Sequence, residues 1–220
     1  MKSAISIFFK DWKSELRTRY SVNSLAMFII VAISVILFSV KDEPLSPYLT
    51  AGLLWTVIFF SAMSGLSRTF VSEEERGTFL ILQIIASPLN VFSGKLLFNT
   101  LLVFLINSII TLLFSLLFSA FIIKNIYLFT AVFFLGNFGI AVSSTVIAAI
   151  ISKAGAKGTL YPVLSFPVLL PLILILSELT NFSIDGKSVE ESLTEILVII
   201  CYDVIMLTVS VMLFDFIWKD

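Results

Sequence analysis

The sequence predicts an all-α membrane protein: an N-terminal interfacial amphipathic helix followed by six transmembrane helices, with both termini inside. Three observations predict it. The first is composition. Of the 220 residues 59% are hydrophobic and 13% charged, with a mean hydropathy of +1.08, whereas soluble domains carry about 25% charged residues. The second is segregation of charge: six long runs lack Asp, Glu, Lys and Arg, apart from Asp203 in the last, and a crossing needs about 20 mostly apolar residues. The third is the placement of basic residues. With the N-terminus inside, eleven of the fourteen Lys and Arg fall in inner segments, leaving Lys41, Lys124 and Lys187 outside, as cytoplasmic loops require. A chain of this length is expected to be one domain, residues 1-220.

The elements follow in chain order. Over residues 3-19, Ile5, Phe8, Phe9, Trp12 and Leu16 recur on one helical face, with Lys10, Lys13 and Arg17 mainly on the other. Such a helix lies in the headgroup plane, and Phe8, Trp12 and Leu16 are its candidate interfacial residues. Its plainer role is a basic anchor that sets topology. The first span is expected near 21-40. It is too long for a signal peptide and runs into Lys41-Asp42-Glu43-Pro44 with no small-residue cleavage site, so a retained span is expected.

The second span is placed near 48-67, then a cytoplasmic loop over 68-95. Within that loop Phe79 to Ala86 covers only about 12 Å as a helix, too short to cross. The remaining spans are placed near 96-119, 127-151, 159-177 and 196-217. Pro162, Pro167 and Pro171 fall in the fifth. Proline leaves the carbonyl four residues earlier unpaired, which predicts a broken or irregular span at a pathway or a subunit interface. A locally bent packing helix is the alternative. Between the last two spans, Glu178, Asp185, Glu190, Glu191 and Glu195 face Lys187 in a solvated connector, where Ser188 can start a short helix.

Several function classes are excluded. Net charge of -1 gives no basic face for nucleic acid. With Cys201 as the sole cysteine and no histidine, neither a disulfide nor a Cys-x-x-Cys or His-ligated metal site can form within the chain, and no metal site is expected. Gly186-Lys187-Ser188 resembles the tail of a P-loop, but the position that needs the first glycine is Asn181. The chain therefore supplies no ATPase of its own. Asn181-Phe182-Ser183 matches a glycosylation sequon by pattern only.

Asp203 is the one charge inside a span, about 10 Å from the outer end of its run. A carboxylate near the midplane costs about 2.5–3.5 kcal/mol on insertion scales. It must be protonated, hydrogen-bonded to groups such as Asn107 or Asn137, or open to water. A functional role and a structural interhelical bond are both open. With Pro167 and Pro171, these three residues are the candidate pathway or intramembrane polar positions. An intramembrane enzyme built on Asp203 would need a second catalytic group at its depth, and the sequence offers none.

The charged stretch Ser72-Glu73-Glu74-Glu75-Arg76-Gly77-Thr78 stands apart from the rest of the chain. It reads as a charged helix broken at Gly77, where glycine permits a sharp turn, and Ser87-Pro88 ends the piece that follows. A protruding charged helix suits a cleft on a soluble motor; a merely solvated acidic loop is the alternative.

Arg76-Gly77-Thr78, Ser87-Pro88 and Gly94-Lys95 closely resemble the first cytoplasmic loop of ABC-2-type permease subunits. The whole chain is similar to the CcmB (haem exporter protein B) family in length, in its spans, in Arg68-x-Phe70 and in the Pro167 and Pro171 pair. Two positions depart from the pattern: Leu80 stands where ABC-2 loops commonly carry Glu, and Pro162 is additional.

The resemblance implies a non-catalytic permease subunit for cytochrome c maturation in the bacterial inner membrane. Its implied partners are a cytoplasmic ABC ATPase that binds the ATP, a second permease copy, haem-handling membrane proteins and the lipid bilayer. No cofactor is expected on this chain alone, and haem would be a substrate of the complex. Glu73, Glu74, Glu75, Arg76, Gly77 and Thr78 would form the ATPase-coupling loop. An ABC-2 permease for a lipid-linked glycan or a drug, and a non-transporting scaffold, are the rival readings.

Overall fold

A computed structural model describes residues 2–18, 20–40, 45–67, 69–70, 73, 77–153 and 160–219. Among them every regular element is helical: α1 (Lys2–Thr18), α2 (Tyr20–Val40), α3 (Pro47–Leu66), α4 (Phe79–Ile85), α5 (Pro88–Leu117), α6 (Ile126–Lys153), α7 (Tyr161–Asp185), a 3₁₀ turn (Glu190–Ser192) and α8 (Leu193–Lys219). The all-α membrane class holds. Five helices, α3 and α5 to α8, are long and apolar enough to cross a bilayer, the last counted together with its 3₁₀ turn. The apolar part of α2, Leu25–Val40, is shorter.

Local chemistry explains the helix ends. Ser46 caps α3 by accepting from the Leu49 N–H, with Pro47 in the first turn, where proline loses no hydrogen bond. α5 likewise begins on a Ser-Pro pair, with Ser87 extended at φ -66° and ψ 150° and Pro88 in the first turn, although the Ser87 side chain makes no capping hydrogen bond. The helix therefore begins well before the apolar run at Leu96, and Lys95 lies inside it. A lysine interrupts an apolar pattern, but it is a good helix former. For the same reason α7 runs past Glu178 to Asp185, where Gly186 at φ +86° closes it.

The expected break in the fifth span does not occur. Pro162 sits in the first turn of α7, and Pro167 and Pro171 lie inside a continuous helix on its exposed side. The short helix expected after Ser188 forms as the 3₁₀ turn, with the Ser188 hydroxyl accepting from the Glu191 N–H at 3.3 Å.

α6 is the central helix, with 78% of its apolar window buried inside the chain. It packs against α3, α5, α7 and α8. Its buried positions include a run of small residues (Ala141, Ser143, Ser144, Ala148, Ala149), which lets neighbouring backbones approach closely in lipid. Buried side chains then tie the layers together. Trp55 Nε1 of α3 donates to Thr180 Oγ1 of α7 at 2.8 Å, and the Tyr161 hydroxyl donates to the Ser144 carbonyl at 3.1 Å. α2 lies on α3, and α1 lies along α5.

Candidate functional site

Four charged side chains from α1, the loop and α5 converge at the end of the bundle that carries α1. Lys95 is two turns into α5 and only 2% exposed. Its Nζ lies 2.7 Å from Glu73 Oε1 and 2.9 Å from Asp11 Oδ2, and it donates to the Thr69 carbonyl at 3.1 Å. An ammonium has three donors, and three oxygens surround this one. Lys10 of α1 forms a second ion pair with Glu73 Oε1 and lies 3.4 Å from Asp11 Oδ1. Two cations thus face two carboxylates, the pairing that buried charges such as Lys95 and Glu73 require, while Lys10 stays partly exposed at the rim.

Glu73 is not the surface residue that a row of three acids suggests: it is 5% exposed. Burial by itself would raise its carboxyl. The Lys95 charge, with hydrogen bonds from Lys10, Lys95 and Thr78, outweighs burial and holds the pKa at about 2. Thr78 Oγ1 donates to Glu73 Oε2 at 2.5 Å, and the Thr78 N–H donates to the Glu73 carbonyl at 3.0 Å. Gly77 at φ +66° supplies the left-handed backbone that closes this loop. Glu73 and Thr78 therefore clamp the chain on either side of residues 74–76. Glu74, Glu75 and Arg76 lie outside the described residues.

The junction continues into the bundle. Thr69 Oγ1 donates to Asn99 Oδ1 at 3.2 Å, and Asn99 Nδ2 donates to Thr145 Oγ1 of α6 at 2.8 Å. α4 is fixed to the end of α8 by Gln83 Nε2, which donates to the Trp218 carbonyl at 2.7 Å. Beneath it the Phe214 ring lies 5.7 Å from Phe70 and 5.3 Å from Phe92, and stacks on Trp218 at 5.4 Å.

α1 presents more faces than the sequence pattern distinguishes. Ala4, Ile7 and Asp11 are buried, close enough to α5 that a Cβ at Gly94 would come 2.7 Å from the Ala4 carbonyl oxygen. Ile5, Phe9 and Leu16 are exposed. Phe8 and Trp12 are half-buried and stack with centroids 6.3 Å apart.

The intramembrane candidates do not form one site. Asn107 Nδ2 bonds Asn137 Oδ1, and Asn137 Nδ2 donates to the Phe133 carbonyl at 2.6 Å. Asp203 joins neither. It is 4% exposed, and neither oxygen has a hydrogen-bond partner among the described residues. Pro167 and Pro171 are on the outer side of α7, so the carbonyls that they leave unpaired, of Val163 and Pro167, belong to that outer stretch. No cluster that could hold a metal ion occurs among the described residues.

Lys10, Asp11, Thr69, Asn99 and Thr145 are the junction residues that spacing could not reveal, since Glu73 finds its lysines 63 and 22 residues away. Lys95 was visible only as part of Gly94-Lys95. One protein-family model, described as CcmB protein, matches residues 2–216, essentially the whole chain. No curated protein matches it.

Proposed function

The chain belongs to the CcmB family, and on that premise we propose that it is the permease subunit of an ABC transporter complex for cytochrome c maturation. It would couple ATP hydrolysis on a partner subunit to export or release of haem. The family is one of haem-exporter permease components, and five long apolar helices make this chain a multi-pass membrane protein.

In this reading the subunit's work is mechanical. A cytoplasmic ATPase binds and hydrolyses ATP, a second permease copy completes the membrane half, and membrane partners hold the haem. The complex sits in the bacterial inner membrane with six crossings per permease and both termini in the cytoplasm.

The observation that carries the reading is the clamp at Glu73 and Thr78. A displacement of residues 74–76 by a docked motor acts first on Glu73. Lys95 passes it to α5, Lys10 and Asp11 pass it to α1, and the Thr69, Asn99 and Thr145 bonds reach α6. Buried, satisfied polar groups resist stretching, which suits them to carry motion. Glu74, Glu75 and Arg76 are the residues left to meet the motor.

The test is charge reversal at E74K/E75K in cells that make the complex. Membrane levels of the permease should stay normal while ATPase copurification and cytochrome c maturation both fall at least tenfold. If ATPase and mature cytochromes both persist, the loop is only solvated. If the ATPase persists but a lipid-linked glycan or a drug is what moves, the substrate assignment is wrong.

A further inference from the structure

Asp203 takes no part in the junction, and its surroundings give it a separate meaning. By helical rise it stands about 15 Å along α8 from Leu193. Its carboxyl abuts α6 at Gly139, where an added Cβ would run into Oδ1, and Leu172 of α7 closes the same space. Both oxygens are buried and have no hydrogen-bond partner among the described residues.

Among the described residues, no ion pair joins Asp203 to a neighbouring element. The basic residue of α6 is Lys153, at its far end. Lys95 of α5 is engaged by Glu73 and Asp11. On α7 the titratable groups are Tyr161, whose hydroxyl bonds the Ser144 carbonyl, with Glu178 and Asp185 toward the other end. The 3₁₀ turn carries Glu190 and Glu191. On α8 Tyr202 bonds Ser143 and the Val168 carbonyl, Glu195 lies in the first turn, and Asp215 and Lys219 lie near the far end, more than ten residues from Asp203. Burying an unpaired carboxylate is costly.

We propose that Asp203 is a proton-binding site, occupied while α8 is closed against Gly139 of α6 and vacated when the two helices part. On parting, the carboxyl O–H bond breaks, the proton passes to water, and the carboxylate stays hydrated in the opened gap. On closing, one proton per copy is taken back from water.

The test uses the full chain in its complex in proteoliposomes, with two carbodiimides and infrared spectroscopy. Dicyclohexylcarbodiimide, which is apolar and adds to protonated carboxyls, should modify Asp203 near neutral pH and progressively less as the pH rises. A water-soluble carbodiimide should modify loop acids and spare Asp203. G139A, which forces α8 outward, should raise water-soluble labelling of Asp203 several-fold. Infrared spectra should show a protonated-carboxyl stretching band near neutral pH that D203N removes. If D203N does not fold, the pH dependence of that band in the wild type decides instead. Water-soluble labelling of wild-type Asp203, or no protonated-carboxyl band sensitive to D203N or to pH, overturns the proposal.

Discussion

Removing one partner from a buried, hydrogen-bonded ion pair leaves the other charge uncompensated, at a cost of about 3–5 kcal/mol. Lys95 stands between two such partners, Glu73 and Asp11. K95M, which keeps the length of the side chain, should destabilise the permease by about that amount in detergent unfolding; a loss under about 1 kcal/mol would mean the network behaves as a solvated surface pair. Glu73 adds a pH dependence with a definite sign. Its pKa is lowered from 4.5 in the unfolded chain to about 2 in the folded one. Its contribution is therefore fully present above about pH 4.5 and is lost as the pH falls toward 2. Unfolding midpoints of the wild type and E73Q, measured across that window, should converge on acidification; parallel curves would exclude the effect. Nothing in the sequence separates Glu73 from Glu74. The burial of Glu73 comes from partners brought in by α1 and α5, which its neighbours along the chain do not announce.

A helix in a membrane protein can serve more than one medium, and α1 does. At about 100° per residue, Ala4, Ile7 and Asp11 fall on one side, Ile5, Phe9 and Leu16 on a second, and Lys10, Lys13 and Arg17 on a third. The apolar and basic faces are legible in the sequence because lipid and water select for bulk properties. The buried face of Ala4, Ile7 and Asp11 is not, since its residues share no single property and are matched only to a groove on α5. That groove exists because Gly94 has no side chain. G94A should push α1 off α5 at a cost of about 1–3 kcal/mol, and amide hydrogen exchange over α1 should accelerate while that over α6 does not. Unchanged exchange in α1 would show that the contact can give without loss. α5 and α7 teach the converse about boundaries. Lys95 and Glu178 end apolar runs, yet both helices continue through them because the backbone bonds do not depend on side-chain polarity. The three prolines of α7 leave it continuous, since Pro162 falls in the first turn and Pro167 and Pro171 share the outer side.

At the scale of the whole molecule, the loop junction and Asp203 sit at different depths and do different things. The junction is neutral and cross-linked by ion pairs and hydrogen bonds from α1, the loop and α5, so it suits the transmission of force. Asp203 is unpartnered and sealed, so its charge state follows helix separation. E74K/E75K addresses the first at the level of the assembled complex, where the proposed docking of a partner is read by copurification. The sequence by itself determined the all-α membrane class, the approximate location of the apolar helices, the turn at Gly77 and the CcmB resemblance. All of these depend on local composition or short-range spacing, to which lipid and backbone geometry respond directly. Only the tertiary structure decided which charges are paired, that Glu73 faces inward, that Asn107 and Asn137 bond each other, and that Asp203 is left alone against Gly139. Those outcomes depend on contacts between residues tens of positions apart, and a buried charge is stabilised by whichever partner the packing delivers.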